Sequence, residues 1–204
     1  MTVFFVFQVI LLLGFWTWLF GRRLGIGLAI FLLATALMAN AGWLRFGKAP
    51  PPLFLLLVPT TIATIWLART LPLDRASTSL LIGYQSFRIL VEIFLWWGHR
   101  EGVAPVQITF EGRNFDVLTG VTAPAMAWLA GRGQAPPWLL RLWNLAGLGL
   151  LTNVVAVAIL SMPTPWQRFT PTNTFVAEAP FVWLPMFLVQ SALFGHVALW
   201  KRMR

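Results

Sequence analysis

Four polar side chains recur along one face of an otherwise apolar segment, the stretch QSFRILVEIFLWWGH. They are Gln85, Arg88, Glu92 and His99. Since an α-helix turns by about 100° per residue, these four and Trp96 fall within an arc of about 80°. A charged group at the centre of a bilayer costs about 2.5–3.5 kcal/mol. Arg88 and Glu92 are therefore expected to face protein or water, and their one-turn spacing predicts an ion pair.

A single carboxylate leaves donors of the Arg88 guanidinium unsatisfied, since this group has five N–H donors. Further polar partners should converge on it from other helices. Asn144 and Asn153 lie about 180° apart on their helix, so only one can face the cluster. We expect it to be Asn153, because that residue shares its face with small residues that permit close helix approach. The predicted ligand-binding set is Gln85, Arg88, Glu92, His99, Asn153 and Gln190.

Two interpretations of this stripe stay open at the level of sequence. One is a polar pocket or pathway through the bundle, leading from Gln85 toward His99 at an outer mouth, because intramembrane ionisable groups commonly mark functional sites. The other is a structural ion pair that fixes the register of helices and binds no ligand.

The composition indicates an integral membrane protein. Hydrophobic residues make up 58% of the 204 residues, mean hydropathy is +0.76, and charged residues make up 10%, against about 25% in soluble domains. We therefore expect a single all-α transmembrane domain over residues 1–204, with about seven spans. The chain has no cysteine, which excludes disulfides and thiolate chemistry.

Apolar runs between charges and prolines give the span boundaries. The predicted spans cover residues 3–20, 24–44, 53–69, 77–99, 117–131, 138–161 and 176–200. Pro59, Pro124 and Pro185 predict interruptions in three of them. The first run lacks a charged leader and a small-residue cleavage site, which favours a retained span over a removed signal peptide.

Basic residues at alternate ends of the spans predict the orientation. The net charge of +9 comes from residues scattered at the ends of apolar runs, which is typical of membrane anchors rather than of nucleic-acid binding. One side collects Arg22, Arg23, Arg69, Arg75, Arg132, Arg141, Lys201, Arg202 and Arg204, and the other Arg45, Lys48, Arg100, Arg113 and Arg168. Nine against five predicts an outside N-terminus and a cytoplasmic C-terminus.

Two outer loops are expected, at residues 100–116 and 162–175. Alternating apolar and polar residues over 106–111 predict a short strand or hairpin. Arg113 and Asp116 are the candidate site residues of the first loop, and Asp116 also suits an N-cap for the next helix. The second loop is rich in proline, as is the turn at Lys48-Ala49-Pro50, and these prolines should stiffen it.

Metal and cofactor chemistry are not expected. His99 and His196 are predicted at opposite ends of the bundle, so they cannot together ligate one haem, and a zinc hydrolase needs three ligands. No recognisable catalytic motif is present. We expect no metal and no cofactor, and a non-enzymatic role over an enzymatic one.

Four stretches together resemble a group of bacterial multi-spanning membrane proteins of unknown function. They are FRILVE at 87–92, TFEGRNFD at 109–116, LSMPTPWQ at 160–167 and PFVWLP at 180–185. The resemblance covers about the second half of the chain and implies a bacterial inner-membrane location. It implies no activity and assigns no catalytic residues.

Three functional hypotheses follow. The first is binding or transport of a small polar or anionic solute through a pocket centred on Arg88 and Glu92. The second is a non-transport subunit that binds lipid, a partner membrane protein or a second copy of itself, using small residues such as Ala146, Gly147 and Gly149. The third is an intramembrane enzyme acting on a lipid, with Glu92, His99 and Asp116 as acid–base groups.

Overall fold

The computed structural model describes residues 1–47 and 51–203, and all regular elements within these ranges are helical. The predicted turn at Lys48-Ala49-Pro50, and Arg204, lie outside the described residues. The helices are α1 (Thr2–Phe20), α2 (Arg22–Asn40), α3 (Pro52–Thr70), α4 (Thr78–Gly83), α5 (Phe87–Arg100), α6 (Val117–Gly131), α7 (Pro137–Leu160) and α8 (Val189–Arg202). The all-α prediction is confirmed for this part of the chain.

Five helical segments of the described chain are long and apolar enough to cross a membrane. They are Thr2–Phe20, Arg22–Asn40, Pro52–Thr70, Thr78–Arg100 and Pro137–Leu160. The fourth joins α4 and α5 through a 3₁₀ turn, Tyr84–Ser86. The fold is therefore compatible with a membrane protein, whereas the total of seven spans and the orientation stay predictions.

The ends of the helices group at two ends of the bundle. At one, which we call the N-terminal end, the amino group of Met1 lies 3.9 Å from the Glu101 carboxylate. At the other, the C-terminal end, Lys201 donates to the Leu71 carbonyl over 2.9 Å. The α1–α2 hairpin turns at this second end through Gly21, whose φ of +92° favours glycine.

Two prolines expected to interrupt helices do not do so. α3 continues through Pro59 and α6 through Pro124. Each proline removes one backbone hydrogen bond of its helix. In hydrocarbon an unpaired backbone group costs several kcal/mol, so the other helical hydrogen bonds on both sides of the proline are retained. Only Pro185 lies at an irregularity, a π-helical turn over Leu184–Leu188 that precedes α8.

The first outer loop enters the bundle instead of lying on it. Thr109 and Asn114 are fully buried, and Gln107 and Ile108 are both buried although they are sequence neighbours. The strand predicted here is wrong: Val106–Ile108 is a 3₁₀ turn. The backbone pairs with itself, for example from Thr109 N to Val106 O over 2.9 Å, so no strand partner is needed.

The second loop packs on the first and shortens the last helical segment. Helix was predicted from residue 176, but only a 3₁₀ turn lies there, at Phe175–Ala177, and the continuous helical segment begins at Leu184. The Gln107 side chain ties the two loops together, since its Nε2 donates to Ser161 Oγ over 3.0 Å and to the Pro171 carbonyl over 2.6 Å. Irregular backbone at this depth is permitted where it is buried in protein, as it is at Gln107, Ser161 and Asn173.

We predict that Gly120→Ala destabilises the protein by about 1–3 kcal/mol, because it overpacks the α5–α6 crossing. A Cβ at Gly120 would lie 2.9 Å from the backbone nitrogen of Ile89, and backbone cannot yield as a flexible side chain does. The free energy of unfolding in detergent micelles measures the effect. Gly149→Ala is the matched control, because a Cβ there meets nothing within 4 Å. Equal losses in the two variants would contradict this packing.

Candidate functional site: a buried polar cluster

The centre of the site is an ion pair between Arg88 and Asp116. Arg88 is only 2% exposed, and its Nε donates to Asp116 Oδ2 over 2.6 Å while its Nη2 contacts Asp116 Oδ1. The predicted pairing of Arg88 with Glu92 is therefore wrong. Although Asp116 occupies the N-cap position of α6, its side chain makes no capping bond, so the N-cap hypothesis for its carboxylate is also wrong.

The buried loop explains why Asp116 reaches this depth. Because residues 104–116 descend into the bundle, α6 begins in the interior, close to the middle of the Thr78–Arg100 segment. Gly120 then packs directly on the backbone of Ile89. Span periodicity treats a loop residue as an outer group, and so places Asp116 near the surface.

The other side of the guanidinium contacts α7 and α8. Nη1 lies 2.8 Å from His196 Nε2, and Nη2 donates to the Gly147 carbonyl over 3.4 Å. The imidazole continues to Asn144, with 2.8 Å between His196 Nδ1 and Asn144 Oδ1. Asn144 Nδ2 donates back to the His196 carbonyl over 3.1 Å.

These partners define the state of the imidazole. Arginine has only donors, so Nε2 of His196 must be the acceptor and carry no hydrogen. Nδ1 must then carry the hydrogen that it donates to the amide oxygen of Asn144. The ring is therefore neutral. Arg88 donates on both sides, to Asp116 and to His196, and His196 donates in turn to Asn144.

The choice of Asn153 over Asn144 is wrong. Asn144 is 1% exposed and lies in the cluster, whereas Asn153 donates to the Arg113 carbonyl of the first outer loop over 2.8 Å. A small residue does mark the correct face, but it is Gly147, where a Cβ would lie 2.6 Å from the imidazole Cε1 of His196. The sequence signal for this face is that Asn144 and Gly147 are three residues apart, so they share one face of α7. That face packs against His196 of α8.

Glu92 is a second buried carboxylate and has incomplete hydrogen bonding. It is 2% exposed, and its Oε1 accepts from Asn114 Nδ2 over 2.6 Å. Its Oε2 is buried, and no hydrogen-bonding partner for it lies among the described residues. Asn114 also connects the two acids, because its Oδ1 accepts from the backbone nitrogen of Asp116 over 2.9 Å. Since Asp116 already neutralises Arg88, Glu92 is the surplus acid of the cluster.

Two cavities border the cluster from different sides. A cavity of about 80 Å³ is bordered by Arg88, Glu92 and Asp116. Its remaining wall is almost entirely apolar and comes largely from α7 and the start of α8, including Leu151, Val154, Val155, Ala158, Leu188 and Val189. A second cavity, of about 530 Å³, reaches Asn144 and His196 from the C-terminal end. The contact between His196 and Arg88 thus lies between the two spaces.

The other predicted site residues are separated from this cluster. His99 lies 3.2 Å from the Ala104 carbonyl at the N-terminal end, and the Arg113 guanidinium lies over the Phe169 ring at 4.8 Å. Gln85 Nε2 donates to the Ala192 carbonyl over 3.1 Å. Gln190 Nε2 donates to Thr61 Oγ1 and to the Pro185 carbonyl. Of the eight predicted residues, the structure brings together Arg88, Glu92 and Asp116.

At the N-terminal surface, a second and exposed ion pair offers a comparison. Arg100 Nη2 lies 3.0 Å from Glu111 Oε1, which also accepts from the Trp96 indole nitrogen over 2.9 Å. The Trp96 hydrogen bond, helped by the Arg100 charge, lowers the pKa of the Glu111 carboxyl. Water surrounds this pair, so it contributes little to stability.

The residue types of the cluster suit proton and hydrogen-bond exchange rather than metal binding. Within residues 1–47 and 51–203, no three His, Cys, Asp or Glu side chains are grouped so as to hold a metal ion. A carboxylate with one unpartnered oxygen, next to a neutral imidazole and a paired guanidinium, can bind a proton or a hydrogen-bonding solute.

Fold and site together define an all-helical protein compatible with a membrane location, with a buried ionic cluster at its centre. Comparison with protein families, with curated proteins and with solved structures finds no match to this chain. The resemblance to uncharacterised bacterial membrane proteins therefore stays a prediction, and the functional argument must come from the site itself.

We predict that Asp116→Asn lowers the free energy of unfolding by roughly 3–5 kcal/mol, because it leaves a buried guanidinium without its counter-charge. Chemical denaturation in detergent measures this. The exposed pair supplies the control, since Glu111→Gln should change stability little. The double variant Arg88→Met/Asp116→Leu, which removes both charges, should recover most of the loss. A stability equal to wild type in Asp116→Asn would contradict the assigned pairing.

The hydrogen bonds also predict one tautomer for His196. Nitrogen-15 NMR at neutral pH should show a neutral ring with hydrogen on Nδ1 and none on Nε2. The chain has only two histidines, so the spectrum of His99→Gln assigns the signals. Hydrogen on Nε2 would mean that Arg88 does not donate to this ring.

Proposed function

We propose that this protein binds, and moves across the membrane, a small polar or anionic solute that reaches the Arg88–Glu92–Asp116 cluster through the two cavities. The observation that carries the proposal is the position of the cluster between these spaces. One cavity ends at Arg88, Glu92 and Asp116, and the other ends at Asn144 and His196. A polar step between two openings is what a solute pathway through a helical bundle requires.

Glu92 is the group that we assign to the solute. An unpaired buried polar atom costs about 1–3 kcal/mol, and more when it is charged. Since Oε2 lacks a partner and its side chain borders the smaller cavity, a solute hydrogen-bonded there would remove this cost. If the solute is an anion, Glu92 must carry a proton, and the solute and proton then bind together.

Arg88 has a more limited part than the sequence indicates. Its Nε and Nη2 are engaged with Asp116 and Gly147, and Nη1 uses one of its two hydrogens on His196. One N–H donor remains for a solute. A fully charged anion would have to compete with Asp116 for the guanidinium, whereas a carbonyl or carboxylic acid group can use the remaining donor directly.

The apolar walls restrict the body of the solute. The smaller cavity holds a few water-sized groups, since a single water needs about 10–15 Å³ of such space. A compact molecule with one polar end and an aliphatic remainder fits it best. The same proposal includes seven crossings of a bacterial inner membrane, an outside N-terminus and a cytoplasmic C-terminus, which the alternation of helix ends supports.

Docking of a partner membrane protein and intramembrane catalysis gain no specific observation. For a partner-binding subunit, Ala146 and Gly149 are exposed, but Gly147 is buried against His196. For an intramembrane enzyme, Glu92, His99 and Asp116 were the acid–base candidates, and His99 lies apart from the two acids at the N-terminal end.

The test is solute-coupled flux in proteoliposomes loaded with a pH-sensitive dye. Three probe classes would be applied as gradients: short monocarboxylates, primary amines and neutral amides. We expect wild type to move monocarboxylates with protons, and Glu92→Gln to lower the initial rate at least about tenfold, because its side chain cannot release a proton.

Glu111→Gln is the matched control, since it makes the same chemical change at an exposed carboxylate outside the cluster. Circular dichroism and the unfolding midpoint would show that both variants are folded. If wild type and Glu92→Gln gave the same rates for every class, no greater than vesicles without protein, the proposal would be wrong.

A further inference from the structure

The larger cavity has two cations at its entrance. It lies at the C-terminal end of the bundle, bordered by residues of α7 and α8 and by Arg69 near the end of α3. Arg69 and Lys201 supply two positive charges, and no Asp or Glu is among the described residues that border the space. The entrance is therefore complementary to an anion.

The cations are arranged differently. Lys201 Nζ donates to the Leu71 carbonyl over 2.9 Å, which fixes the ammonium at the junction of α8 with the end of α3. Arg69 is exposed in the last turn of α3. One positioned charge and one that extends from an exposed position can hold a phosphate from two sides.

The walls of the cavity suit an acyl chain more than water. Leu145, Leu148 and Val197 form its sides, and Leu145 is 52% exposed, so the space reaches the outer surface of the bundle. Trp200 borders the same entrance and is 36% exposed. A tryptophan beside two cations at the ends of apolar helices is typical of the headgroup level of a bilayer.

We propose that this cavity binds an anionic phospholipid, with its phosphate between Arg69 and Lys201 and its proximal acyl chain against Leu145, Leu148 and Val197. Basic cavities between membrane helices at the headgroup level bind such lipids. The site is distinct from the solute cluster, although His196 forms part of its inner wall. A lipid bound here would cover the opening of the larger cavity and would therefore compete with a solute that enters or leaves by this route.

A simpler role for the two cations makes a different prediction. Lysine and arginine in the last turn of a helix favour the negative end of the helix dipole whether or not a lipid is bound. In that case their removal would lower stability equally in anionic and in zwitterionic lipid. A lipid site requires the effect to depend on the headgroup.

The experiment measures binding of phosphatidylglycerol and phosphatidylcholine to the full-length protein in neutral detergent by native mass spectrometry. The shift of the unfolding midpoint is recorded in parallel. We expect phosphatidylglycerol to bind more tightly, with a loss of affinity of roughly fivefold for each cation removed and roughly thirtyfold for Arg69→Gln/Lys201→Gln. Phosphatidylcholine binding should be unchanged.

Arg132→Gln is the control, because Arg132 is an exposed cation at the same end of the bundle and lies over the Trp128 ring instead of this cavity. If the double variant fails to fold, Arg69→Gln alone tests the proposal, since its side chain is exposed. Equal binding of the two lipids by wild type would overturn the proposal. The proposal would also be overturned if inorganic phosphate stabilised the protein as much as phosphatidylglycerol does, because the acyl chain of the lipid would then contribute nothing.

Discussion

The arrangement of the bundle interior depends on satisfying one buried guanidinium. Arg88 lies near the middle of the Thr78–Arg100 segment, too far from either end to reach water, so its charge must be compensated in place. A buried ion pair stabilises a protein only when its geometry is good and its remaining donors are used. Here Asp116 takes two donors, and His196 and Gly147 accept others.

Several otherwise unusual features follow from that requirement. The chain between α5 and α6 gives up helical structure and descends into the bundle, which delivers Asp116 at the depth of Arg88. Glycines at 120 and 147 remove side chains where α6 and the imidazole of His196 approach closely. Asn114 then fixes the loop end, since it contacts Glu92, the Ile108 carbonyl and the backbone of Asp116. The non-helical loop and the two glycines are locally unfavourable, but they allow the buried ion pair to form.

The sequence predicts the parts of this structure that depend on hydropathy and helical period. Six of the predicted spans match helical segments within a few residues, and the inward stripe of α5 is correct for Gln85, Arg88 and Glu92. Period alone cannot show that a polar loop enters the bundle, because Thr109 and Asn114 look like any surface residues. For the same reason the sequence predicts an N-cap for Asp116 and a position at one end of the bundle for His196.

The sequence also does not predict which residues of different helices contact each other. Helical spacing shows that Asn144 and Asn153 face opposite ways, but not which of them faces α8. That choice depends on the rotation of α7, which Gly147 sets by admitting the imidazole of His196. Glu92 illustrates the same point. It lies one helical turn from Arg88, as predicted, but the guanidinium pairs with Asp116 at the start of α6.

Asn114 connects the first outer loop to both buried acids, Glu92 and Asp116. One amide side chain holds the Glu92 carboxylate with its nitrogen and the start of α6 with its oxygen. The loop that carries it is joined through Gln107 to the segment around Pro171. Because Asn114 contacts both Glu92 and the backbone of Asp116, a displacement of this loop would change the spacing between the two carboxylates.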